Sequence, residues 1–138
     1  MNAGAIALLS AHLQGFVTDL FQEAARHLLT GHVPDVDALL DAANTRGNPN
    51  ENNIRRLFAS IGFSDVLLGV SWQKVGNKAV RTKLRSFNEL RNRIVHGKSE
   101  KVHKKQVAIY MSVWRNFAGK LDDRVGSEIV KKTGKAPW

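Results

Sequence analysis

Cysteine is absent from the 138 residues. That excludes disulfides, thiolate zinc sites and a cysteine nucleophile, and it fits the cytoplasmic location expected here. No His, Asp and Glu cluster has metal-ligand spacing, so neither a metal nor another cofactor is expected. No uninterrupted apolar run approaches the roughly 20 residues of a membrane span, so no membrane association is expected. The start of the chain has no basic residue ahead of Ile6–Leu9, which makes a poor secretory signal. No alternating strand pattern competes anywhere, and no internal repeat is visible.

What is present is one globular domain's worth of chain. Hydrophobic residues make up 43% and charged residues 24%, which is the balance of a folded core rather than of disorder. The charge is one-sided. Residues 1–69 hold four bases and seven acids, a net −3; residues 70–138 hold 17 bases and five acids, a net +12. Together they give the +9 of the whole chain. A charge concentrated in one half argues for a polyanionic partner.

Apolar spacing of three and four predicts helices. Ile6, Leu9, Leu13, Phe16, Val17, Leu20, Ala24 and Leu28 form the stripe of a long first helix, ending near Thr30-Gly31. A short helix is expected around Leu39 and Leu40, with Asp35 and Asp37 ahead of them. Asn48 as N-cap, Pro49 as first helical residue and Glu51 predict a third helix through Ile54, Leu57, Phe58 and Ile61. Phe63 to Gly76 reads as a turn of helix and a loop. Asn77 is placed to cap the helix of Val80, Leu84, Phe87, Leu90 and Ile94, which stops at Val95-His96-Gly97. Ser99 is placed to cap a long last helix striped by Val107, Tyr110, Met111, Trp114, Phe117, Leu121, Val125 and Ile129. The expected fold is all-α: a bundle of about five helices with long first and last members. Residues 1–130 make the single domain, and 131–138 a basic C-terminal tail expected to fray.

The segment from Asn88 to Gly97 is dense in functional side chains and sits where a helix stops. Asn92 and His96 are i,i+4 and share a face, so the Asn amide is placed to orient the imidazole. Glu89 and Arg93 are also i,i+4, in the favourable order for an ion pair. Arg91 and His96 lie about 140° apart on a regular helix, so they need unwinding or a second subunit to act together.

Arg91-Asn92-Arg93-Ile94-Val95-His96-Gly97 resembles the signature of HEPN domains (higher eukaryotes and prokaryotes nucleotide-binding). That signature is an Arg, a polar residue, a few more residues, then His. The order of elements is similar over residues 5–126. Ala11-His12-Leu13 and the Leu57-Phe58 helix resemble the RiboL-PSP branch in particular. Where the first helix of that branch often carries an acid, this chain has Gln14; Asp19 and Glu23 are better read as solvated.

The resemblance implies an endoribonuclease that needs no metal, acting as a symmetric homodimer with the site at the two-fold interface. His96 is then the acid/base, Arg91 the phosphate and transition-state clamp, and Asn92 an orienting or phosphate-binding group. Arg93, Lys98, Lys101, Lys104 and Lys105 are the candidate RNA-binding residues, with Arg81, Lys83 and Arg85 as an extension. A toxin or defence effector with a neutralising antitoxin partner is the biological expectation. Two alternatives stand beside it: a catalytically silent HEPN domain that binds RNA or nucleotides, and a helical adaptor for protein partners. His96 also has a plain reading as a helix C-cap, and the lysines one as a solvated charge run.

Overall fold

The long apolar stripe at the start of the chain folds as a helix, α1 (Asn2–Leu28). In the computed structural model, which describes residues 2–29, 38, 49–98 and 101–138, three further helices follow. They are α2 (Glu51–Ala59), α3 (Asn77–Val95) and α4 (Lys104–Thr133). The described residues contain no strand, only an isolated bridge between Trp72 and Val75. The fold is therefore all-α. The helix expected around Leu39 and Leu40 falls outside the described residues, as does the expected stop at Thr30-Gly31.

α1 packs most extensively on α4 and then on α3, while α2 touches both α1 and α3. Ile6, Leu13, Val17, Leu20 and Ala24 are buried as the stripe requires, and Phe21 and Ala25 are fully buried beside them. The buried face is thus wider than a single stripe, because two helices cover it. By length and composition α1 is also long and apolar enough to cross a membrane, with a window of mean hydropathy 1.2. The expectation that no uninterrupted apolar run approaches that length still holds, since Ser10, His12, Gln14 and Asp19 interrupt α1. Its apolar face lies in the core.

Two aromatic clusters fill the interior. Phe58 meets Phe21 and Phe63 edge-on, each at 5.7 Å. Phe87 of α3 lies 4.9 Å from Tyr110 and 5.1 Å from Trp114 of α4. Trp114 is therefore core, as its place in the stripe predicts, and Trp72 packs against the core from the loop.

Three helix starts differ from expectation. Asn50, not Asn48, caps α2: it is extended, and its Oδ1 accepts from the Asn53 N–H at 2.8 Å. Pro49 thus precedes the cap, and its carbonyl accepts from Asn88 Nδ2. The N-cap of α3 is Gly76. Asn77 instead straps the preceding loop, donating from Nδ2 to the carbonyls of Leu67 and Val70 and accepting from Arg81 Nε. α4 begins at Lys104 with His103 at the cap, so Ser99, itself outside the described residues, is not its cap. At the other end α4 runs on to Thr133 and closes on Gly134 in the left-handed region. The Trp138 ring then lies back against Gly126 and 6.3 Å from the His27 ring, so the tail is folded onto the bundle rather than frayed.

Asp65 and Glu51 gather two arginines of α3 and one of α2. Arg81 meets Asp65 at 2.7 Å and Glu51 at 3.4 Å; Arg85 meets Glu51 at 3.3 Å; Arg55 meets Asp65 at 3.4 Å. Burial pushes the Asp65 carboxyl up, but the hydrogen bond and charge of Arg81, with the Leu67 N–H and Arg55, bring it below its ordinary value. A depressed carboxylate stabilises the fold above its unfolded pKa, and this contribution is lost as pH falls through the lower folded value. Asp65→Asn should therefore cost about 1 kcal/mol at neutral pH. It should cost progressively less below about pH 4. Urea unfolding at both pH values checks this; an equal loss at each would refute it.

Candidate functional site

The last turn of α3 positions the motif. His96 N–H bonds to the Asn92 carbonyl at 3.0 Å, Gly97 N–H to the Ile94 carbonyl at 3.1 Å and Lys98 N–H to the Arg93 carbonyl at 3.0 Å. These last two bonds, with Gly97 at φ +74°, make a Schellman ending. His96 therefore occupies the C-cap position of the backbone, as its plain reading predicts. Its side chain is exposed and makes no hydrogen bond with any described residue. The two readings are compatible, since the bonds that close the helix are made by the backbone and leave the imidazole uncommitted. Open space surrounds the Gly97 Cα, so a methyl there meets no atom and costs only backbone strain. Gly97→Ala should destabilise by about 1–2 kcal/mol. Gly97→Asn should cost less, because Asn tolerates this region. Thermal melts of the pair measure the difference, and equal losses would refute the strain argument.

Arg91 is i+4 from Phe87 and i+7 from Leu84, both fully buried, so it emerges on the core-facing side and is half-buried. Its Nη1 donates to Asn92 Oδ1 at 3.3 Å. Asn92 thus orients Arg91 rather than the imidazole, which corrects the expectation from spacing alone. Arg91 and His96 are not brought together within one chain; the helix stays regular to Val95. The Glu89–Arg93 pair is not formed either. Arg93 is exposed and its charge acts on Tyr110 of α4, whose phenol burial pushes up and Arg93 partly restores.

The basic residues take two different places. Lys98, Lys101, Lys104 and Lys105 are exposed around the start of α4. The first turn of α4 contains no acid, so its lysines add to the positive end of the helix dipole. Asn2 Nδ2 holds the Val102 carbonyl at 2.7 Å and ties this turn to the start of α1. Arg81 and Arg85, in contrast, are engaged by Asp65 and Glu51, which removes them from the expected phosphate surface.

Beside the motif a cleft of about 390 Å³ opens between the start of α2 and the flank of α3. Asn92 is the one motif residue that lines it. Asn88 and Arg85 continue the wall along α3, and Asn50 and Asn52 face them from α2. Sequence reading missed this cleft, although a signal was present. Arg81, Arg85, Asn88, Asn92 and His96 are spaced 4, 3, 4 and 4, a polar stripe with the period of an apolar one. On α1 Asp19 and Glu23 are exposed, Glu23 pairs with Arg26 at 2.6 Å, and Gln14 is half-buried. Among the described residues no cluster of His, Asp and Glu has the makings of a metal site.

The family model of RiboL-PSP-HEPN matches residues 1–127. The chain belongs to the RiboL-PSP-HEPN family. No curated protein and no solved structure matches it. The match ends six residues before α4 does, so it covers the first three described helices of this HEPN chain and most of the fourth. Membership points to an RNA-cleaving or nucleotide-binding role. Within the matched residues, Arg91 and Asn92 are hydrogen-bonded to one another and His96 is the C-cap of α3.

Proposed function

We propose that this HEPN chain is an endoribonuclease that cleaves RNA by attack of the 2′-hydroxyl, without a metal. One observation carries the reading: Arg91 is held by Asn92 Oδ1 at 3.3 Å, while His96 presents an unengaged imidazole one turn further on. That is a phosphate clamp and a proton carrier at one helix end. RNA supplies its own nucleophile beside the scissile phosphate. The O2′–P bond forms as the P–O5′ bond breaks. Imidazole takes the 2′ proton, and the leaving 5′ oxygen receives a proton. Arg91 spans two phosphate oxygens and offsets the charge that builds in the transition state. The products are a 2′,3′-cyclic phosphate and a 5′-hydroxyl.

A homodimer supports this chemistry, because two-fold pairing of the α3 ends would set two Arg91–His96 motifs over one cleft. The lysines at 98, 101, 104 and 105 then line the approach for the backbone. A cytoplasmic toxin or defence effector, held in check by an antitoxin, is the biological setting this reading favours. The test is incubation of purified protein with single-stranded RNA in EDTA, with mapping of the new ends. Cyclic-phosphate ends are the expected result; cleavage that needs added metal would overturn the mechanism.

A second reading is a HEPN domain that binds RNA without cutting it. Gln14, where the first helix of the branch often carries an acid, favours it. In that case RNA binding weakens with salt at a slope of about −0.7 per phosphate neutralised, and no new ends form.

A further inference from the structure

We infer that the outer face of the α1–α4 seam binds a second copy of this chain, antiparallel, about a two-fold axis level with Gly15 and Gly119. This contact is separate from the pairing of α3 ends, and it does not depend on whether the chain handles RNA.

α1 and α4 run in the same direction. Asn2 holds the Val102 carbonyl just ahead of α4, Leu9 to Phe16 lie beside Met111 to Ala118, and Asp19 to Glu23 lie beside Asp122. Two shallow hollows follow the seam and share Phe16. The lower, of about 220 Å³, is walled by Leu9, Met111 and Trp114. The upper, of about 300 Å³, continues over Leu20 to the Trp138 indole. Met111 is 49% exposed, and Leu8, one turn before His12, is 61% exposed. Exposed apolar surface gathered along one seam marks an interaction face.

Charge selects the occupant and its direction. His12 and Arg115 line the lower hollow, Asp19 and Asp122 the upper. None of these four forms a hydrogen bond or ion pair with a described residue. Glu23 differs, because Arg26 holds it at 2.6 Å. His12 and Asp19 are seven residues apart, as are Arg115 and Asp122, so each pair shares a helix face two turns apart. The midpoints fall at Gly15-Phe16 and Ala118-Gly119, and they are level, since Phe16 and Ala118 line the same hollow. A two-fold axis across the seam there lays each helix antiparallel on its own copy. Arg115 of each chain then meets Asp122 of the other, and His12 meets Asp19. A parallel pairing sets His12 on Arg115 and Asp19 on Asp122, so like charges oppose it.

Gly15 and Gly119 point the same way. Both sit inside helices, where glycine is less favourable than alanine. Nothing lies within 4 Å of the place a methyl would take at either, so the chain's own packing does not call for them. Glycine at a crossing point lets a second backbone approach closely. The motif lies by the start of α4, so this pairing sets two motifs at opposite ends. Formed together with pairing of the α3 ends, it builds an assembly larger than a dimer.

Sedimentation equilibrium over a protein concentration series, without RNA, tests the face. Arg115→Asp and Asp122→Arg each place like charges across the axis, twice per dimer, and should each weaken self-association by about tenfold or more. The double exchange Arg115→Asp with Asp122→Arg should restore it to within about threefold of the parent. Gly119→Leu should weaken association while the melting temperature of dilute protein holds or rises, because the site is open and leucine favours helix. Self-association that ignores both single exchanges belongs to the α3 ends and overturns the seam. A parent that stays monomeric overturns it too and leaves the face to another protein. Loss in the single exchanges without recovery in the double one overturns the antiparallel register.

Discussion

Replacing His96 with Ala is expected to lower RNA cleavage by about 10²–10⁴-fold, the loss that follows removal of a positioned acid/base. The same substitution should leave stability within about 0.5 kcal/mol. These two expectations belong together. The backbone bonds that close α3 use the N–H groups of His96, Gly97 and Lys98, and none of them needs an imidazole. A residue that only capped the helix through its side chain would lose stability and leave no specific mark on cleavage. Arg91→Ala should cost about 10²–10³-fold. Arg91→Lys should recover little, because a point charge cannot span two phosphate oxygens as a planar fork does. Rates from single-turnover cleavage of one defined RNA, beside urea melts of each variant, decide the matter. Full activity in either alanine variant would end the proposal for that residue.

The position of the motif was legible because it depends on local rules. Gly97 adopts φ +74°, which a glycine after an amphipathic run foretells, and α3 stops at Val95 as the sequence suggests. The long helices were legible for the same reason, since their stripes repeat over many turns. Choices between near-equivalent polar residues were not. Asn48 and Asn50 both flank Pro49, and only Asn50 places its oxygen on the Asn53 N–H. Asn77 had the chemistry of a cap, yet two loop carbonyls claimed its amide. Arg81 and Arg85 looked like a phosphate surface until Glu51 and Asp65, 30 and 16 residues from Arg81, arrived beside them. Burial of Asn88 is likewise a tertiary fact: Pro49 comes from 39 residues away. The buried Asn88 Oδ1, with no hydrogen-bond partner among the described residues, follows from that placement and has no signature in the chain.

The largest stability effect should come from Phe87→Ala, at about 3–5 kcal/mol for emptying a fully buried aromatic site. Phe87 is 0% exposed and sits between Tyr110 and Trp114 of α4, at 4.9 and 5.1 Å. Those rings are themselves stacked 6.0 Å apart, so the cavity opens at the junction of α3 and α4 rather than at its margin. A domain of this size typically has only about 5–15 kcal/mol in hand, so the loss is a large share of the total. Phe87→Leu keeps most of the volume and should cost about a third as much. Urea unfolding of both variants gives the numbers, and a loss below about 1 kcal/mol in Phe87→Ala would show that α4 collapses onto α3 without it. The consequence for function follows from the helix period. Arg91 stands one turn beyond Phe87 on the same side of α3, and its only described hydrogen bond is to Asn92. Below its melting point the Phe87→Ala protein should therefore bind RNA with its salt dependence intact, because the lysines around α4 are untouched, yet cleave more slowly, because the turn that carries Arg91 has lost its support.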